Sequence, residues 1–195
     1  MWSAFGLVGP IFAVYITDQI QGGTLAVVGF ATGLQLILKS IVQLPISRWI
    51  DKNRGEWDDF YTALAGSFLL SLVPFLYIFI QSPLHLYLVQ IVYALGAAMN
   101  FPGWIAMFTR HVDKGREGFE WSLYNTAISI GAGITGALGG LFAEKFGFIL
   151  LFVIMGFLNI IGTFFLLLIR KGIMLKHGIP QVVRMEAKEK HGEEI

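Results

Sequence analysis

An all-α membrane fold with six transmembrane helices is what this 195-residue sequence predicts, and three observations predict it. Asp, Glu, Lys and Arg make up 14% of the chain, against roughly 25% in soluble proteins. Apolar residues are 55% of the total. They come in blocks, without the amphipathic period of a soluble helix. Six blocks each approach the roughly 20 residues needed to cross a bilayer: Trp2–Gln19, Leu25–Ser47, Phe60–Ile80, Leu84–Phe108, Phe119–Ala143 and Phe146–Ile169. The domain division that follows is a transmembrane domain over 1–171 and a charged tail over 172–195.

Several function classes fall away. With no Cys there is neither a disulfide nor a thiolate metal site. His85, His111, His177 and His191 lie at block ends or in loops without metal-ligand spacing. No nucleophile–base pair or phosphate-binding loop is visible, so an enzyme, a metal and a cofactor are not expected. Nor is a nucleic-acid partner. The first residues carry no basic leader and no small-residue cleavage site, so no removable signal peptide is expected.

Lys and Arg set the orientation. Arg48, Lys52 and Arg54 follow the second block, Arg110, Lys114 and Arg116 the fourth, and Arg170, Lys171 and Lys176 the sixth. The opposite loops hold only Lys145. Basic loop residues stay on the cytoplasmic side, which predicts a multi-pass protein of the cell membrane with both termini cytoplasmic.

The first block carries Pro10 in mid-span, which removes a backbone donor and bends a helix. Asp18 at its far end reads as a solvated helix end or a coupling carboxylate. The second block carries Gln35, Lys39 and Gln43 at i, i+4 and i+8, on one helix face. A polar stripe inside a membrane helix faces protein or a water-filled cavity. Lys39 has an alternative, snorkelling to the cytoplasmic surface. Arg48 marks that surface about nine residues, or roughly 13 Å, further on. A lysine stem covers about half of this, and helix side chains lean toward the N-terminus, away from that surface. The balance favours the cavity.

Asp58 and Asp59 precede the third block as caps for exposed helix N–H groups. That block is otherwise nearly pure apolar and reads as a peripheral, lipid-facing helix. The fourth block has Gln90 near its outer end, then small residues Gly96, Ala97 and Ala98 that permit close helix approach. Asn100 lies near mid-depth and needs a neighbouring helix or a ligand to satisfy it. The fifth block holds Gly131, Gly133, Gly136, Gly139 and Gly140, a packing groove along one helix. Its Asn125 and Ser129, one turn apart, face a cavity or a neighbour. The sixth block is featureless apart from Asn159, read as an interhelical hydrogen bond. From Lys171 the chain is hydrophilic, and its charged ending has no apolar face to bury.

Read together, these motifs resemble one half of a major facilitator superfamily transporter. The similarity runs from about Phe5 to Lys171. The loop SRWIDKNRGE resembles the family signature G-x-L-a-D-R-x-G-R-R, with Ser47 at the first Gly, Trp49 at Leu, Asp51 at Asp and Lys52 at the basic position. The resemblance implies a cytoplasmic gating network of Asp51, Lys52 and Arg54 with Arg110, Asp113 and Arg116. In the fourth block QIVYALG stands where the family has R-x-x-Q-G-x-G, with Gln90 in place of the proton-linked Arg. In the fifth, TGALGG replaces the exporter motif G-P-x-x-G-G.

The family's usual twelve spans form two halves related by an axis along the membrane normal. The resemblance therefore implies 3+3 inverted repeats within this unit, and a parallel homodimer that supplies the second half. Spans one, two, four and five would line the cavity, and three and six would face lipid. The function expected is alternating-access transport of a small solute through a cavity lined by Gln35, Lys39, Gln43, Asn100, Asn125 and Ser129. Two copies of Lys39 suggest an anionic solute. The expected partners are the lipid bilayer, a small-molecule substrate and a second copy of the chain. The alternatives are a non-transporting membrane partner, a half-transporter with a different second half, or a fragment of a twelve-helix protein.

Overall fold

The computed structural model describes residues 2–52 and 56–177. Among these, every regular element is helical: α1 (Trp2–Phe5), a 3₁₀ turn (Gly9–Ile11), α2 (Phe12–Gln19), α3 (Leu25–Lys52), α4 (Glu56–Tyr77), α5 (Pro83–His111) and α6 (Glu117–His177). Four helices are long and apolar enough to cross a membrane: α3, α4, α5 and the Glu117–Leu168 stretch of α6. Arg54 lies outside the described residues, as does the chain from residue 178 onward. Helix α6 continues past 171, the expected end of the transmembrane domain, to His177.

The first block is not one continuous, bent helix. It is interrupted between Phe5 and Phe12. Pro10 sits inside the 3₁₀ turn, and Leu7, Val8 and Ile11 each donate to the carbonyl three residues back, at 3.2, 3.3 and 3.0 Å. A proline without N–H, flanked by Gly6 and Gly9, favours tight turns over an α-helical ladder.

Helix α6 breaks at Gly147, where φ is 80° and ψ 169°, a conformation open to glycine alone. The break reverses the chain. Trp121 lies against Phe108 with ring centroids 4.8 Å apart, and Leu166 packs in a cluster with Met107, next to Phe108 in the chain. A straight helix would hold residues 121 and 166 roughly 68 Å apart. The N-arm, up to Phe146, therefore runs away from the C-terminal end of α5. The C-arm, from Phe148, runs back alongside α4.

Helix α4 is not peripheral within this unit. Of the four apolar stretches its own is the most enclosed, 56% buried, and that of α3 the least, 11%. The reason is a face that combines the absence of a side chain at Gly66 with hydroxyls at Ser67 and Ser71, which lets α5 and the C-arm close on it from two sides. Along α3, by contrast, Leu36, Ile37, Ile41 and Leu44 are all exposed, as membrane-embedded helices allow. The main core gathers Tyr15, Ile16, Val73, Tyr77, Leu86, Phe152 and Met155 at the end of the unit where α2, α4 and the two arms of α6 meet.

Candidate functional site

Two side chains bring the candidate cavity together. Gln35 comes from the α3 face that carries the polar stripe, and Gln90 from the first turns of α5. Both line a cavity of about 270 Å³ with Phe5, Val8, Phe12, Thr32, Tyr77, Tyr93 and Met155. The Gln90 amide donates to the Tyr77 hydroxyl at 3.2 Å, and the Tyr15 hydroxyl donates to the Tyr77 carbonyl at 2.6 Å. Tyr77 is thereby fixed at both ends. It also lines a second cavity of about 300 Å³ with Tyr15, Gln19 and the Phe146–Ile149 stretch. The lining of the first cavity is amide, hydroxyl and aromatic, which suits a small solute held by hydrogen bonds and ring contacts.

Lys39 lies one turn beyond Gln35 on the same face of α3. It is half-buried. Its Nζ sits 4.7 Å from the centroid of the Phe101 ring on α5. Among the described residues no carboxylate is within ion-pair distance of it. Gln43, two turns along, is half-buried on the same stripe.

Asn100 is not among the residues that line either cavity. It is buried, and its Nδ2 donates to Ser67 Oγ at 2.8 Å and to the Ala63 carbonyl at 3.2 Å. Of the two satisfying groups the sequence left open, the structure uses the neighbouring helix. Ser67 and Ser71 continue the arrangement, with Thr163 of the C-arm 3.0 Å from Ser71 Oγ. A file of polar side chains thus joins α5, α4 and α6. Asn159 donates within its own helix, to the Met155 carbonyl at 3.0 Å, rather than across to another.

The charged end of the unit is arranged differently from the expected network. Arg110 pairs with Asp59, which is fully buried, and not with Asp51 or Asp113. His111 lies 3.9 Å from Glu56. Acids at the start of α4 and bases at the end of α5 complement both helix dipoles. Asp51, Lys52, Asp113 and Arg116 are exposed. Asp113 donates its backbone N–H to Glu120 at 3.2 Å, and the Arg116 N–H bonds the Asp113 carbonyl at 3.1 Å. Sequence reasoning missed Asp59 as an ion-pair partner. The signal was its position one helix turn inside the acidic start of α4, facing away from water.

The glycine groove divides. At Gly136 an added Cβ would meet Gly6 O and Pro10 at 3.3 Å, and at Gly139 it would collide with the Leu7 backbone. At Gly133 and Gly140 it would meet nothing within 4 Å. Gly131 contributes its carbonyl to the Thr135 hydroxyl at 2.8 Å. Asn125 and Ser129 are exposed on the N-arm and line neither cavity.

Four helices long and apolar enough to cross a bilayer, with a buried polar file between them, define a multi-pass membrane protein. The family model of the Major Facilitator Superfamily matches residues 1–183, and the chain belongs to that family. It is 26% identical over 162 residues to an uncharacterised MFS-type transporter of Methanocaldococcus jannaschii, a match that covers 81% of this chain and 39% of that protein. The chain thus spans well under half the length of the relative it matches. Members of this family are transporters rather than enzymes.

Proposed function

We propose that this chain is one six-helix unit of a transporter that moves a small, anionic solute by alternating access. The carrying observation is the polar stripe of α3. Its Gln35 lines the cavity with Gln90 and Tyr77, and its Lys39 offers a cation without a carboxylate partner among the described residues. The two arms of α6 serve as the fifth and sixth spans, and the interrupted first block as the first. Three spans then repeat in inverted order. The distribution of Lys and Arg supports a cell-membrane protein with both termini in the cytoplasm.

A parallel second copy completes the unit. The exposed faces of α3 and of the α6 N-arm, with Asn125, Ser129, Gly133 and Gly140, are where it packs. Asp51, Lys52, Arg54, Asp113 and Arg116 act as the gating latch that the family motif implies, and Arg110 acts through Asp59. A second reading is favoured by one observation, that the matched relative is much longer than this chain. In it the second half is a different six-helix unit.

Uptake into proteoliposomes, with native mass spectrometry in nanodiscs, tests both. A parallel dimer with anion uptake reduced roughly tenfold or more by Lys39→Ala is the expected outcome. Unchanged uptake in that variant overturns the role of Lys39. A monomer that transports only after a second half is added replaces the homodimer by the second reading.

A further inference from the structure

The ring of Phe101 explains how a lysine remains available inside this protein. A cation on a membrane helix is stable only with compensation. A carboxylate would give the strongest compensation, and it would also cancel the charge that a solute could use. No Asp or Glu lies mid-block in the sequence. Among the described residues Lys39 has no ion pair, and its ammonium rests 4.7 Å from the centre of the Phe101 ring. The face of an aromatic ring attracts a cation through its quadrupole, more weakly than a carboxylate does and without neutralising it. Phe101 is set by its neighbours. Asn100, immediately before it, is tied to Ser67 and Ala63 on α4, which turns Phe101 toward α3.

Resting on the transporter reading above, we infer that Phe101 is a positioning residue that holds the Lys39 ammonium without an acidic partner, and that an anionic solute takes it off the ring. Gln35 lies one turn N-terminal to Lys39, the direction in which helix side chains generally lean, so a path off Phe101 leads toward the cavity that Gln35 lines. Binding is then an exchange of a cation–π contact for an ion pair. A neutral solute has nothing to gain from it. The site discriminates by charge because its resting partner for the lysine is an aromatic face and not an acid.

The test uses the full chain in nanodiscs with its lysines dimethylated from ¹³C-formaldehyde, which preserves the positive charge. The Lys39 methyl signal is identified by its loss in Lys39→Arg. Acetate, succinate and inorganic phosphate are the probes, with glucose as the neutral control. A ring over the ammonium shifts that signal upfield, and Phe101→Leu removes the shift. At least one anion is expected to remove it saturably in the parent protein, while glucose leaves it in place. Phe101→Trp, which keeps a π face, retains both the shift and its reversal. An ordinary Lys39 signal that Phe101→Leu does not move overturns the stacking. A shifted signal that none of the anions moves overturns the exchange. Solute uptake, measured in parallel on the same variants, separates the two proposals. Transport that persists with an anion-insensitive Lys39 sinks only this inference, and transport absent throughout sinks the reading beneath it.

Discussion

Asn100 on α5 donates to Ser67 Oγ on α4 at 2.8 Å, and Ser67 in turn donates to the Ala63 carbonyl at 2.8 Å. The Ala63 carbonyl also accepts the second Asn100 bond, at 3.2 Å. One amide therefore closes a small ring of hydrogen bonds between two helices where Gly66 lets their backbones touch. Asn100→Ala leaves Ser67 without this donor and opens a void. Interhelical hydrogen bonds in membranes contribute about 0.6 kcal/mol on average, so with the void the expected loss is about 1–2 kcal/mol. Unfolding in detergent measures it.

Arg110 and Asp59 give the second prediction. Asp59 is fully buried and the Arg110 side chain is 35% exposed. Arg110→Ala strands a buried carboxylate, a change that costs about 3 kcal/mol when both partners are enclosed and about 2 kcal/mol here, allowing for the exposed guanidinium. Asp59→Asn with Arg110→Gln is expected to recover more than half of that loss. A double-mutant cycle in thermal unfolding reads the coupling. Simple additivity of the two changes would show that the pair contributes nothing.

The glycines of the α6 N-arm give a graded series. Gly139→Ala drives a methyl into the Leu7 backbone and is expected to destabilise the unit by about 2 kcal/mol. Gly140→Ala and Gly133→Ala meet open space, and alanine is the better helix former by about 1 kcal/mol. Both are expected to leave the melting temperature equal or higher. A loss of dimer at Gly133 or Gly140, without loss of folded monomer, would locate the second copy on that face.

The sequence made apolar length legible because it is written locally, in runs of residues. The gap between the fifth and sixth blocks, at 144–145, was legible for the same reason, and α6 breaks two residues beyond it, at Gly147. What was not legible depends on partners far along the chain. Ser67 looked bland, yet it meets Asn100, thirty-three positions on. Asp59 looked like a helix cap, and its distant partner is Arg110. Burial rank also failed, since α4 has few polar residues. Those few line one face, and that face is what α5 and α6 cover. Pro10 signalled a bend. The interruption is larger because Gly6 and Gly9 remove the side chains that would have held a helix together on either side of it. Within the candidate site, Gln35 and Lys39 were visible as a stripe. Tyr77, Tyr93 and Phe101 were not, because aromatic residues are common in the third and fourth blocks that hold them.

The one-residue reversal at Gly147 leaves little for a protease to seize. At that edge the links are residues 20–24 and 78–82, and the second is tightened by bonds from Ile78, Phe79 and Ile80 to carbonyls three residues back. Lys145 lies in helical backbone. The opposite edge presents Lys114 and Arg116 on an exposed turn between α5 and α6. Trypsin cuts best at such exposed tips. Sealed vesicles treated with it are cut there only when that edge faces the bath, so the pattern of fragments reports which way round the protein was inserted.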